Sequence, residues 1–386
     1  MHSHPALTLP LIVAAIFSVT GCGKDATASG TPSLSMSPTG SLITPRDLHT
    51  ATLLNDGKVL IVGGASSTST FPLEAELFDP VSGTFTATGS LGAVRHSATA
   101  TLLKNGMVLV AGGKEGSGTP TASAELFDPV TGTFRSTGDM TMRRVFCPAT
   151  LLADGRVLFV GGLPSGPTAT AELYNPVSGT FAATDSVRTR ADFKTATVLP
   201  NGKVLVTGGR RDGDYRAIAD ADLYDPATGT FAATGSMVMP RAGHVATLLP
   251  NGNVLITGGA AVTSGAATAT AEVYDVASGT FALTGSMASA RTLHTATLFP
   301  NGKVLVAGGD AFFYSSSPSS NSLATAELYD PATGAFSPAP GMSVPRESHT
   351  ATLLADGSIL ITGGGDGTIG YAPTTVLASS ERYAWH

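Results

Sequence analysis

Apolar residues along this chain gather in short runs, such as Val59-Leu60-Ile61-Val62, Val204-Leu205-Val206 and Ile359-Leu360-Ile361, with no helical stripe. Each run leads into a Gly-Gly pair. Short, β-branched runs bounded by turn residues predict strands. The Gly-Gly pairs start at positions 63, 112, 161, 208, 258, 308 and 363, so one unit recurs about every 50 residues. A period of that size marks a repeat architecture. Within each unit a Thr-rich run leads to Asp56-Gly57, Asn105-Gly106, Asp154-Gly155, Asn201-Gly202, Asn251-Gly252, Asn301-Gly302 or Asp356-Gly357. These dipeptides predict tight type I′ hairpins, in which both central residues need φ > 0. A variable loop follows each Gly-Gly, then a third strand such as Ala221-Asp222-Leu223-Tyr224. The turn Asp225-Pro226-Ala227-Thr228-Gly229 leads from it into a fourth strand.

Four antiparallel strands per unit, seven times over, predict an all-β fold, a seven-bladed β-propeller. Its ends are informative. The chain stops after the third strand of the last unit, Glu381-Arg382-Tyr383. Ser35-Met36-Ser37-Pro38-Thr39-Gly40 has the fourth-strand pattern, with Met36 in the aromatic slot. The N-terminal strand is therefore expected to close the last blade, leaving no free sheet edge at the seam. Strand parity places the Asn-Gly and Asp-Pro turns on one face, B. The variable loops and the blade-to-blade connections fall on the other, A, where function is expected.

The recurring Arg-x-x-His, Gly-Gly and Glu-Leu-Tyr-Asp-Pro motifs, with Phe85, Phe134, Phe181, Phe231, Phe281 and Phe336 in strand four, resemble the kelch family. The likeness is to kelch-like repeats of bacterial secreted proteins and to the propeller domain of galactose oxidase, and it spans residues 33–386. The galactose oxidase resemblance implies copper held by a Cys-linked Tyr, a second Tyr and two His. Cys147 has no Tyr beside it in sequence, so no cofactor and no metal site is expected.

Composition adds an address. Only 13% of the 386 residues are charged and the formal net charge is −6, which argues against a nucleic-acid partner. Ala6 to Val19 is an apolar stretch of 14 residues containing Pro10. That is short of the roughly 20 residues a membrane-crossing helix needs and reads as the core of a signal peptide. Val19-Thr20-Gly21-Cys22 resembles the lipobox of bacterial lipoproteins. The expected organisation is a signal peptide over 1–21, lipidation at Cys22, a flexible tether over 22–32 and the propeller over 33–386. Gly23 after the Cys favours the outer membrane, the alternative being a secreted or periplasmic protein. Membrane contact is expected through the lipid anchor only, and with Cys22 acylated no intrachain disulfide can form.

Arg46, Arg95, Arg144, Arg241, Arg291 and Arg346 each lie 17 residues before their Gly-Gly, and Glu76, Glu125, Glu172, Glu272, Glu327 and Glu381 open strand three at the same end. Blade four departs at both slots, with Arg190 displaced by one and Asp222 in place of Glu. This joint departure predicts Arg-carboxylate pairs pinning the blade rims. His49, His244, His294 and His349 share a slot that alternation points into the contact between blades. The ligand-binding candidates are loop residues: Asp310, Phe312, Phe313 and Tyr314 in blade six, Asp366 and Tyr371 in blade seven, and Arg210, Arg211, Asp212 and Tyr215 in blade four. Aromatics of blades six and seven are expected to form one platform, suited to sugar or peptide. No catalytic residue stands out, because the chain lacks a nucleophile elbow, zinc spacing and a phosphate loop. The expected function is a monomeric, lipid-anchored, non-enzymatic envelope protein that binds a protein or glycan. The alternative is a carbohydrate-processing enzyme, a sugar epimerase or oxidase-like, acting at the propeller mouth.

Overall fold

The computed structural model describes residues 32–66, 70–116, 118–162, 169–211, 216–261, 265–313, 321–366 and 375–386. The signal peptide, Cys22 and nearly all of the tether lie outside the described residues.

From Leu34 onward the chain forms seven four-stranded antiparallel sheets. In blade one, Thr50–Leu53 pairs with Val59–Val62, which pairs with Glu74–Asp79 and then Thr84–Ser90. The innermost strands follow one another round a cycle, and Thr350–Leu353 of blade seven returns to Thr50–Leu53 of blade one. The ring is therefore closed. Leu34–Pro38 pairs with Ser380–Trp385, setting Met36 opposite Tyr383 as Phe231 stands opposite Tyr224 in blade four. The same strand is tied forward to blade one, where Gly40 N donates to the Gly83 carbonyl at 2.9 Å.

The second strand of every blade is fully buried because it packs against a neighbour on each side. Alternation divides the work. Val59 and Ile61 meet Leu354 and Leu360 of blade seven, while Leu60 and Val62 meet Val108, Val110 and Phe127 of blade two. Each such side chain contributes about 1.5–3 kcal/mol by leaving water. Further out, strand-three tyrosines lock neighbouring blades. Tyr174 and Tyr274 hydroxyls lie 2.8 Å from Thr137 and Thr234 Oγ1 of the preceding strand four.

The Asn-Gly and Asp-Gly turns differ from expectation. In the first, only Gly57 has φ > 0, at 86°; its N–H donates to Leu54 O at 3.1 Å, and Asp56 Oδ1 accepts from Lys58 N at 3.1 Å. These are three-residue loops with a left-handed Gly after the bend, not type I′ turns. The acidic or amide side chain caps the backbone from an ordinary φ, so only Gly must be left-handed.

The Gly-Gly pairs are explained by close approach, of the first glycine to the next blade and of the second to the first strand of its own blade. Gly363 (φ 62°) passes so near the Arg46 carbonyl and the His49 ring that a Cβ would lie 2.4 and 2.8 Å from them. Its successor Gly364 donates to Arg46 O at 2.8 Å. A side chain would collide with the next blade at Gly363 and with the Glu347 carbonyl of the same blade, 2.6 Å away, at Gly364, and both positions have a φ that L-residues avoid.

Candidate functional site at the axial mouth

The repeated arginines are buried. Arg46 donates to Glu76 at 2.9 Å, to the Gly63 carbonyl at 3.1 Å and to the Glu74 carbonyl at 2.6 Å. Ion pairs join Arg95 to Glu125 and Arg241 to Glu272 at 2.9 Å, Arg144 to Glu172 at 2.5 Å, Arg291 to Glu327 at 2.9 Å, and Arg346 to Glu381 at 3.5 Å. No member is more than 5% exposed, so these pairs are interior staples and not part of an exposed rim. Glu76 also accepts from the Ile43 and Thr44 amides, so one carboxylate fastens the connection arriving from the previous blade. Burial pulls the Arg46, Arg241, Arg291 and Arg346 guanidinium pKa values down.

Blade four is built otherwise. Asp222 is held at 2.6 Å by Arg188, not by Arg190, and Arg188 reaches in from a largely exposed position. The Gly208 carbonyl, which an arginine would bind in any other blade, accepts instead from Lys194 Nζ at 3.1 Å.

Two residues beyond each arginine slot, the backbone turns left-handed at Leu48, Ser97, Phe146, Phe193, Gly243, Leu293 and Ser348, with φ between 49° and 64°. Six of the seven are not glycine, a strain of roughly 1–2 kcal/mol each. Backbone bonds pass from blade to blade through this ring: Ser97 N to Leu48 O at 2.9 Å, Leu48 N to Ser348 O at 3.2 Å, and Ser348 N to Leu293 O at 3.2 Å. The ring frames an axial funnel made of two adjoining cavities of about 290 and 300 Å³, which share Phe146, Phe193, Cys147, Leu293 and His294. Sequence reasoning missed it. The one available signal, Gly243 at the slot, appears in a single blade.

The mouth is electrically lopsided. On one side Phe146 and Phe193 stack at 4.4 Å, Lys114 lies 5.6 Å over Phe146, and Arg210 lies 5.3 Å over Phe193 while pairing with Asp192 at 2.6 Å. On the other side, blades six, seven and one contribute the buried carboxyls Asp310, Glu347 and Asp47. Burial, with Asp310, Asp47 and Asp366 as charged neighbours, pushes Glu347 up to about 9, and burial pushes Asp47 to about 6. Glu347 Oε2 and Asp47 Oδ1 have no hydrogen-bond partner among the described residues.

The slot histidines sit between blades. His49, His294 and His349 place Nε2 2.9–3.1 Å from Thr350, Thr257 and Thr295 Oγ1 of the preceding blade, and His244 lies 2.9 Å from Thr207. Burial, then neighbouring arginines, lowers all four, His49 and His244 to about 3, so they are neutral packing groups.

The loop candidates are placed unevenly. Phe313 is 4% exposed and packs on Ala242, Ala260 and, edge-on at 4.8 Å, Phe193. It therefore supports the funnel wall from beneath and is not a face of a platform. The blade-six loop turns toward blade five, pairing Phe312 with Ala266, and Phe313 meets Phe193 of blade four; the blade-seven partner expected for these aromatics, Tyr371, lies outside the described residues. Asp310 is fully buried and accepts from Phe312 N at 2.7 Å, which removes it as an exposed ligand contact. Phe312 is 38% exposed and Arg211 is exposed. Asp366 accepts from Thr375 N at 2.7 Å. Tyr314, Tyr371, Asp212 and Tyr215 lie outside the described residues.

With this geometry in hand, comparison defines the class: a seven-bladed β-propeller carrying kelch motifs. The kelch motif model matches residues 95–141 and 291–343, spanning most of blades two and six. No curated protein matches the chain. Among solved structures it is similar to a fungal alcohol oxidase of the AA5 family in complex with copper. The TM-score is 0.73 at 18% identity, over 91% of this chain and 76% of that one. At that identity the likeness concerns the fold alone.

The residues at the axis do not fit copper. Burial pushes the Cys147 thiol up to about 11, its chain neighbour at the funnel wall is Phe146, and the slot histidines spend Nε2 on threonines. Among the described residues no three His, Cys, Asp or Glu side chains are disposed to hold a metal.

Proposed function

We propose that this protein is a lipid-anchored, non-enzymatic binding protein of the bacterial cell envelope that takes a glycan at its axial mouth on face A. The observation that carries the reading is the funnel itself. Its half-buried aromatic wall, Phe146 and Phe193, offers an apolar surface to a sugar ring, with the Arg210 guanidinium beside it. A volume of about 300 Å³ suits one or two rings. The left-handed ring holds these walls through backbone bonds, so little ordering is required on binding.

A sugar epimerase would need a free acid/base pair at the mouth. The Arg and Glu slots that were its best source are closed on one another and buried, which favours binding over catalysis. The anchor, the outer-membrane address and the monomeric state are carried by the sequence reading. A glycan array probed with the mature protein, alongside a turnover assay on free sugars, tests the function. Retention of a saccharide without turnover is the expected result. Turnover, or retention of a single envelope protein with no glycan signal, contradicts it. Mass spectrometry of the mature N-terminus tests the anchor by showing acylated or unmodified Cys22.

A further inference from the structure

One lysine, Lys194, is among the residues that line the axial cavity. Lys194 occupies, in blade four, the slot that holds histidine in blades one, five, six and seven. It is 7% exposed, and Nζ donates to the Gly208 carbonyl at 3.1 Å. Nearby carboxylates are already engaged: Asp222 by Arg188, Asp192 by Arg210, and Asp220 by the Thr189 hydroxyl. Lys194 itself makes no ion pair among the described residues. It lines a cavity of about 300 Å³ together with Phe146, Phe193, Leu293, Cys147 and His244.

We propose that Lys194 is a carbonyl-capturing site, whose amine condenses with an aldehyde or ketone group of a small ligand entering the axial cavity. Desolvation is what makes a lysine nucleophilic at neutral pH, and apolar walls supply it here. Burial draws this ammonium down to about 8, outweighing the attraction of Asp222, Asp220 and Asp192. Roughly a tenth is then free amine at pH 7, against well under one part in a thousand for a surface lysine. In the reaction the nitrogen lone pair forms the C–N bond. The carbonyl oxygen takes up two protons, at least one of them from the amine, and leaves as water, giving an imine with no change of oxidation state. His244, neutral and next to this amine, adds no competing positive charge. The proposal stands apart from the glycan reading, since it concerns small carbonyl compounds and its probe is not a saccharide.

Reductive labelling with benzaldehyde and cyanoborohydride, followed by peptide mass mapping from pH 6 to 10, is the test. In the full-length folded protein, benzylation of Lys194 is expected to outrun that of exposed Lys104 at least about tenfold at pH 7. Its rate is expected to rise with a midpoint near pH 8. In urea the two should label alike. Lys194→Arg keeps the cation and the donor to Gly208, and should remove the fast label while leaving melting nearly unchanged. Slower labelling of Lys194 than of Lys104 in the folded protein, a midpoint near that of surface lysines, or a fast label surviving in the variant would overturn the proposal.

Discussion

Glu347→Gln offers a sharp test of the electrostatics at the mouth, because it removes an ionisable group while keeping nearly the same volume. Glu347 is 2% exposed, its Oε2 has no partner among the described residues, and burial reinforced by Asp310, Asp47 and Asp366 raises it from 4.5 to about 9. A carboxyl with a raised pKa binds its proton more tightly in the native state. Its stabilising effect is therefore complete below about pH 4.5 and is lost as pH climbs toward 9. At about 1.4 kcal/mol per pH unit, the loss between 4.5 and 7 is about 3 kcal/mol as an upper bound. Glutamine carries no such penalty, and its amide can donate to the neighbouring carboxylates. Urea unfolding of both proteins at pH 5, 7 and 8.5 should show near-equal stability at pH 5, an advantage of about 1–3 kcal/mol for the variant at pH 7 and a larger one at pH 8.5. A variant destabilised by the same amount at every pH would refute the reasoning, since it would mean that Glu347 serves through a contact and not through its proton.

Other outcomes follow from the same geometry. Glu272→Gln leaves Arg241 buried with its ion pair broken and should cost about 3–5 kcal/mol, read by urea denaturation. Phe313→Ala should lower the melting temperature through a loss of about 3–5 kcal/mol, as expected of a core ring and not of an exposed contact. Acidification from pH 6.5 toward 4 should weaken the fold, because the four slot histidines are held neutral in the native state but charge on unfolding, which outweighs the opposite gain from Glu347 and Asp47; melting curves across that range check the sign. Met36→Asp should open the seam opposite Tyr383, detected as faster proteolysis of the N-terminal strand.

The blades, their number and the seam were legible because each depends on a pattern repeated seven times along the chain. The Arg and Glu slots were legible for the same reason, since one blade changed both together. The identity of the cation on Asp222 was not, because Arg188 arrives from an exposed position outside the periodic slot. The turn type was missed because an Asp or Asn side chain that caps the backbone removes the need for a second left-handed residue. The funnel was the least legible feature. Its framing residues, Leu48, Ser97, Phe146, Phe193, Leu293 and Ser348, share a backbone conformation and no side-chain chemistry. Phe313 was misjudged because sequence shows an aromatic loop but not the direction in which the loop folds.

The central claim is that the aromatic wall of the axial funnel holds the ligand. Its most direct test is calorimetric titration of a glycan retained on the array into wild type, Phe146→Ala and Phe312→Ala. The funnel predicts that Phe146→Ala loses at least about tenfold in affinity while Phe312→Ala, outside the lining, binds as wild type does. Equal affinity in all three proteins, or loss confined to Phe312→Ala, would place the binding surface elsewhere.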